Sequence, residues 1–431
     1  MTAQIRMAGS TNRTSATNGS FNFDRCQADR RWPGNCYTDW GHSPGLGVVI
    51  HFPAPSTYTI VVVAMHPWIA DRTETFDSSG IRRVFDLASK MTDPINLSIG
   101  QPDFDVPPSI QDAAVDAIRG GKNAYSPTQG IAPLLEALRA EIAVKYPHQD
   151  RDVFVCSGTS GGLVLSMMGM VDPGDEVIFL DPYFVMYPAL VTLFGGVSVP
   201  INSYPDFRLD PDKIAAAITP KTKMILLNSP ANPTGVTAGR EELEAVAQLA
   251  AQRNVALVSD EIYSRFFYDG PYVSPTSFNE QTIVIDGFIK SHAMTVWRVG
   301  FLHGPRENIA TMSKLQQYSL VCAPKPAQWG ALRAMDVNLD THISDYRKKR
   351  DLICDGLSGH YELTKPGGAF YLFPRAPIES GAEFVERAIQ RGLLIIPGNI
   401  FSSQDTHFRI SFAASDETLK RGIEVLREMA N

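Results

Sequence analysis

No stretch of this sequence is long and apolar enough to cross a bilayer: the best candidate, Gly47 to Met65, is broken by His51, Pro53 and Pro55. That excludes a membrane-spanning helix. Long runs of one charge are also missing, and 39 basic against 46 acidic residues leave a formal net charge of -7. Such a balance gives no electrostatic footprint for nucleic acid or an anionic membrane surface. Cysteine is scarce; Cys26, Cys36, Cys156, Cys322 and Cys354 are scattered and show neither metal-ligand pairs nor a disulfide framework, which points to a reducing, cytoplasmic setting and no metal. Nothing before Met65 reads as a helix-turn-helix with basic recognition residues, so a DNA-binding head is not expected. Internal repeats and low-complexity linkers are absent. What is present is a chain of 431 residues, 44% hydrophobic and 20% charged, enough for a large core, for two domains and for a small-molecule partner.

The first 20 residues are rich in Ser, Thr and Asn, with two arginines and no acid, a composition close to that of an organellar transit peptide but without an amphipathic period. Residues 1–64 are therefore expected to form a poorly ordered extension. A start placed too far upstream, with Met65 as the true first residue, accounts for the same pattern.

From Asp152 to about Gly304 apolar strand-like runs alternate with helix-like stretches. The strands are expected at Val153 to Cys156, Val177 to Leu180, Ser198 to Ile201, Met224 to Asn228, Val255 to Ser259 and Thr282 to Ile285. Between them, Gly161 to Val171, Val185 to Leu193, Pro211 to Ile218 and Arg240 to Arg253 carry helical spacing. Apolar strands separated by helices predict an α/β fold of three layers, a mostly parallel sheet covered on both faces. Ligands of such sheets bind at the carboxyl ends of the strands. The expected divisions are 65–125 for an N-terminal arm and part of a smaller α+β domain, 126–327 for the large domain, and 328–431 for the rest of the smaller one.

Chemistry-bearing residues fall at those strand ends. Gly158, Thr159 and Ser160 stand in a Gly/Ser-rich turn leading into a helix, where backbone N–H groups and the helix dipole favour an anion. Phe184 follows the next strand and can stack on a flat heterocycle. Asn232, in Asn-Pro-Thr-Gly, can donate to a phenolic oxygen. Asp260, in Asp-Glu-Ile-Tyr, ends an apolar strand and needs a cationic or hydrogen-bonding partner. Lys290 follows the last strand, and Arg298 lies eight positions beyond it. Taken singly, each has an ordinary explanation: a turn, a core phenylalanine, an aspartate capping a helix, solvated loop cations.

In this order the motifs resemble the aspartate-aminotransferase-like family of fold-type I pyridoxal phosphate enzymes, with a likeness running from about Val84 to Met429. Its most specific parts are Asn232 to Gly235, Asp260 to Tyr263 and Lys290 to Gly300. The resemblance implies that Lys290 forms the Schiff base with pyridoxal phosphate and that Asp260 pairs with the pyridine nitrogen. It further implies that Asn232 and Tyr263 bond the ring hydroxyl, that Phe184 stacks on the ring, and that Gly158, Thr159, Ser160 and Arg298 hold the phosphate. Gly100 looks like the family's glycine beside the substrate carboxylate, and Arg409 like the arginine that grips it with two parallel donors. Tyr125 is similar to a tyrosine that reaches the cofactor of a neighbouring subunit, which implies a homodimer with shared active sites.

One departure stands out. The family usually carries a serine three residues before the lysine; this chain has Gly287, and Ile289 stands where a small polar residue is common. A phosphate hydrogen bond worth about 1 kcal/mol is lost, so weaker cofactor retention is expected. The implied activity is ping-pong amino transfer between an L-amino acid, of aspartate, alanine, aromatic or kynurenine type, and a 2-oxo acid. The alternatives are a carbon–sulfur β-lyase with the same cofactor contacts and a cofactor-binding regulator without catalysis.

Overall fold

The computed structural model describes residues 91–430 without a break, together with 68–70, 72–73 and five strands nearer the N-terminus. The chain divides into two compact units, Met1–Asp77 and Ser78–Asn431. In the first unit Gln4–Met7, Gln27–Ala28, Asn35–Tyr37, Leu46–His51 and Thr59–Ala64 form one sheet, in which Thr59–Ala64 lies between Gln4–Met7 and Leu46–His51. The remainder of segment 1–64 lies outside the described residues, as does Val84, where the family likeness begins.

The second unit is built on a seven-stranded sheet. Its strands are β1 (Arg151–Ser157), β2 (Glu176–Asp181), β3 (Val197–Asn202), β4 (Thr222–Asn228), β5 (Ala256–Asp260), β6 (Ile283–Gly287) and β7 (Val299–Pro305). They lie in the order β1-β7-β6-β5-β4-β2-β3, and β7 alone runs antiparallel to its neighbours. Six strands are where the apolar runs predicted them. The seventh, Val-Gly-Phe-Leu-His-Gly-Pro, went unread because two glycines, a histidine and a terminal proline interrupt its apolar character.

Helices before the sheet are α1 (Pro108–Arg119) and α2 (Ala132–Lys145). Between and after the strands come α3 (Gly158–Met170), α4 (Met186–Leu193), α5 (Pro211–Ala217), α6 (Arg240–Arg253), α7 (Arg306–Ser319) and α8 (Lys325–Ala334). Successive strand residues serve opposite faces. Val177 and Phe179 join Met224 and Leu226 in the core under α3 and α7, while Ile178, Ile225 and Leu227 pack beneath α5 and α6. Both faces being apolar, neither can be left to water, which is why helices cover each.

The smaller part gathers α9 (Asp340–Leu357), α10 (Gly381–Gln390) and α11 (Asp416–Met429) around a short antiparallel sheet, with Phe408–Ser411 between Tyr371–Leu372 and Ile396–Pro397. Its core takes in Ile95 and Leu97 from the preceding segment, and Tyr263 and Phe266 from the loop after β5. The two parts therefore meet at the carboxyl end of β5. Among the described residues no helix is long and apolar enough to cross a membrane.

Candidate active site

The carboxyl ends of β1, β4, β5 and β6 converge on one region. Lys290 lies three residues past the end of β6, is half-buried, and donates from Nζ to the carbonyl oxygen of Gly100. Its ammonium is pushed down to about 7, first by burial and then by the nearby guanidinium groups of Arg409 and Arg298. A neutral amine is therefore accessible near neutral pH.

Asp260 closes β5 and is 3% exposed. Its carboxylate accepts from the Tyr187 hydroxyl at 2.8 Å and from the Ile262 N–H at 3.4 Å. Burial pushes its pKa up to about 6 despite those bonds. Next to it, Glu261 turns away, accepts from Ser274 at 2.6 Å and lines a separate polar cavity with Lys145, Arg265, Asp286 and His303. Strand alternation thus assigns the two neighbouring acids to different places.

Arg409, in the middle strand of the small sheet, is 2% exposed. It donates from Nη1 to the side-chain oxygen of Asn232 at 3.0 Å and from Nη2 to the Ser98 carbonyl at 2.9 Å, while its Nε has no hydrogen-bond partner among the described residues. Its guanidinium lies between the rings of Tyr371 and Phe401, 4.6 Å from each centroid. With its oxygen taken by Arg409, the Asn232 amide keeps its Nδ2 donors free. Gly235, at φ +70°, ends the same loop, and a Cβ there would strike the carbonyl of Tyr371. The Asn-Pro-Thr-Gly turn is fixed by that close approach.

Arg298 adopts φ +55° and donates to the carbonyls of Thr295 at 3.3 Å and Ser157 at 3.5 Å. Its head lies against Gly158, where an added Cβ would come within 2.6 Å of Nη2. Gly158 opens α3, three residues earlier than the sequence pattern predicts, and no side chain caps that helix. The uncapped N–H groups, the hydroxyls of Thr159 and Ser160, and Arg298 make a concentrated anion site. Phe184, Tyr187, Asn228 and Asn232 line one pocket, with the Phe184 ring edge-on to Tyr187 at 5.6 Å.

The structure thus brings together Gly100, Tyr263, Lys290, Asn232 and Arg409, sets Phe184 and Asp260 beside Tyr187, and places Arg298 at Gly158. Tyr125 is 84% exposed. Two residues of the site were missed. Tyr187 carried a signal, its spacing of three from Phe184 at the start of a helix. Tyr371, which shares a 2.8 Å hydroxyl–hydroxyl hydrogen bond with Tyr263, had none beyond its place in an aromatic run.

Charge decides what this arrangement fits. Every hydrogen bond of Lys290, Arg298 and Arg409 goes to a neutral oxygen, and the Asp260 carboxylate receives only neutral donors. Cations so enclosed call for anions, and a buried carboxylate calls for a cation. A ligand with a phosphate, a protonated ring nitrogen and an aldehyde meets the demand, and an amino acid supplies the carboxylate. The model of the family described as aminotransferase class I and II matches residues 92–426. The chain belongs to the class I and II aminotransferases.

The chain is 36% identical over 374 residues to a probable aspartate aminotransferase of Methanocaldococcus jannaschii, covering 84% of this chain and 99% of that one. An aspartate/prephenate aminotransferase of Thermus thermophilus is 36% identical over 362 residues, 79% of this chain and 92% of its own. Among solved structures, the Thermus thermophilus aspartate aminotransferase with maleate superposes with a TM-score of 0.78 at 33% identity, over 84% of this chain and 100% of that one. This aminotransferase therefore has the family's fold and catalyses amino transfer, and the family as a whole depends on pyridoxal phosphate.

Proposed function

We propose that this aminotransferase holds pyridoxal phosphate on Lys290 and moves an amino group between an L-amino acid and a 2-oxo acid by a ping-pong sequence. The supporting observation is the charge complement: three cations and one buried acid gathered in one site, each hydrogen-bonded only to neutral groups among the described residues. Bound pyridoxal phosphate supplies an electron sink for the charge that develops at the substrate Cα. Arg298, the start of α3, Thr159 and Ser160 hold its phosphate; Asn232 and Tyr263 bond the ring oxygen; Phe184 stacks on the ring; and Asp260 keeps the ring nitrogen protonated.

Arg409 grips the α-carboxylate beside Gly100 and fixes the direction of the Cα–H bond. Lys290, depressed to about 7, moves the proton at its Nζ in either direction near neutral pH. Aspartate is the first donor to test, because the relatives above carry it in their names. The active unit is a homodimer in this reading, with Tyr125 reaching the partner's site. Tyr125 is 84% exposed, so its side chain is available to a second copy. The division into an arm, a large cofactor domain and the smaller domain of 328–431 belongs to the same reading.

The test is the visible spectrum of the cofactor-loaded protein while single amino acids are added without any 2-oxo acid. Conversion of the cofactor band with one 2-oxo acid released per site supports amino transfer and ranks the donors. Continuous release of pyruvate and ammonia with the band preserved means a lyase instead. A protein that binds the cofactor and turns over nothing would be a regulator.

A further inference from the structure

Tyr371 sits where two functions meet. On the small sheet it pairs across from Ser411, and Arg409 lies two positions away on the same face of that neighbouring strand. Diagonal cross-strand neighbours on one face reach each other, and the Arg409 guanidinium lies 4.6 Å from the centroid of the Tyr371 ring. The far end of the same side chain does something else. Its hydroxyl forms a 2.8 Å hydrogen bond with the hydroxyl of Tyr263, and the two rings stand nearly perpendicular. Tyr371 also abuts Gly100, where an added Cβ would meet its hydroxyl at 2.5 Å. It is 1% exposed, so neither contact competes with bulk water.

We propose that Tyr371 is a positioning residue with two separable roles: its ring face seats Arg409 for the substrate carboxylate, and its hydroxyl sets the hydrogen-bond donation of Tyr263 to the cofactor. The inference rests on the reading above, in which Tyr263 bonds the ring oxygen. When the Tyr263 O–H donates its hydrogen bond to that oxygen, the Tyr263 oxygen can only accept, and Tyr371 becomes the donor. An accepted hydrogen bond polarises the Tyr263 O–H and strengthens what it donates onward. The chain Tyr371 to Tyr263 to ring oxygen then favours the deprotonated form of the group joined to Lys290 and lowers the pH at which the cofactor band changes.

The two roles separate by substitution. Tyr371→Phe keeps the ring and removes the hydroxyl, and it should raise the pH midpoint of the cofactor band by about half to one unit while leaving KM for the amino acid within about twofold. Tyr371→Leu removes both, and should show the same shift together with a KM raised about tenfold. Tyr263→Phe tests the premise, and the double variant Tyr263→Phe with Tyr371→Phe tests the route. If Tyr371 acts through Tyr263, the double variant shifts no further than Tyr263→Phe alone. A shift in Tyr263→Phe without one in Tyr371→Phe overturns the inference and leaves the cofactor reading standing. No shift in Tyr263→Phe overturns the cofactor reading itself. Equal KM for Tyr371→Phe and Tyr371→Leu overturns the seating of Arg409.

Discussion

Tyr187 donates its hydroxyl hydrogen to Asp260 Oδ2 at 2.8 Å, joining the start of α4 to the end of β5. Both groups are buried, and the bond opposes the upward push that burial exerts on Asp260. Replacing Tyr187 with phenylalanine leaves a carboxyl that ionises less readily, so it pairs less well with a protonated ring nitrogen. The expected outcome is a roughly tenfold lower kcat, about 1.4 kcal/mol, with the acid limb of the kcat profile moved to higher pH. Steady-state rates from about two pH units below to two above the Asp260 value of about 6 check this; an unchanged acid limb would show that the Tyr187 bond does not tune Asp260.

Gly287 pairs directly with Gly300 across β6 and β7, and a Cβ at 287 would come within 2.8 Å of the Gly300 Cα. A serine there meets backbone, not a yielding side chain. The family's usual serine therefore does not fit this register unless β7 shifts. Gly287→Ser should destabilise the cofactor-free protein by about 1–3 kcal/mol and should not tighten cofactor retention. Denaturant unfolding and a dialysis assay for cofactor loss measure the two arms. A stable variant that holds the cofactor longer would show that the strands part easily at this point.

Much of this was legible in the sequence, for a physical reason. A parallel strand buried on both faces must be apolar along its length, so Val177 to Leu180 and Met224 to Asn228 announce themselves, and the polar residue that follows each such run is conspicuous. Asn232, Asp260 and Lys290 stand out as candidates for that reason. The antiparallel β7 does not, since glycine at 300, where a Cβ would meet the Gly158 backbone at 2.7 Å, and the Gly304 and His303 beyond it interrupt the apolar pattern. Tyr187 and Tyr371 were hidden because buried aromatic residues belong by default to a core, and only their hydroxyl partners, 73 and 108 residues away, reveal another use. Pairings over such separations are set by tertiary contact, which local periodicity does not encode.

Arg409 offers an Nε without a partner among the described residues and a guanidinium 4.6 Å from the centroids of two rings. Lysine at this position keeps the charge and loses the paired, planar donors. Arg409→Lys should raise KM for the amino acid by about a hundredfold, roughly 2.7 kcal/mol, with a smaller loss in kcat. Initial-rate kinetics with aspartate and with a 2-oxo acid as variable substrates decide it; unchanged KM values for both would remove Arg409 from carboxylate binding.

Lys290 gives a prediction that needs no cofactor and no substrate. Its folded-state pKa of about 7 lies below the ordinary lysine value of 10.5. Below about 7 the amine is protonated in both states and the cost of burying the charge is fully present. Between about 7 and 10.5 the unfolded chain holds a proton that the folded chain has released, so unfolding takes up protons and stability rises with pH across that window. Replacing Lys290 with methionine removes the penalty. The cofactor-free Lys290→Met protein should therefore be more stable than the parent near pH 7, by roughly 1–3 kcal/mol, with the gap closing toward pH 10. Asp260, raised to about 6 and held down in part by the Lys290 charge, titrates below this window in the parent, so the comparison is read from how the gap changes between pH 7 and pH 10. Urea unfolding of the two at pH 7 and pH 10 measures the difference, and a gap independent of pH would show that burial does not hold the Lys290 amine down.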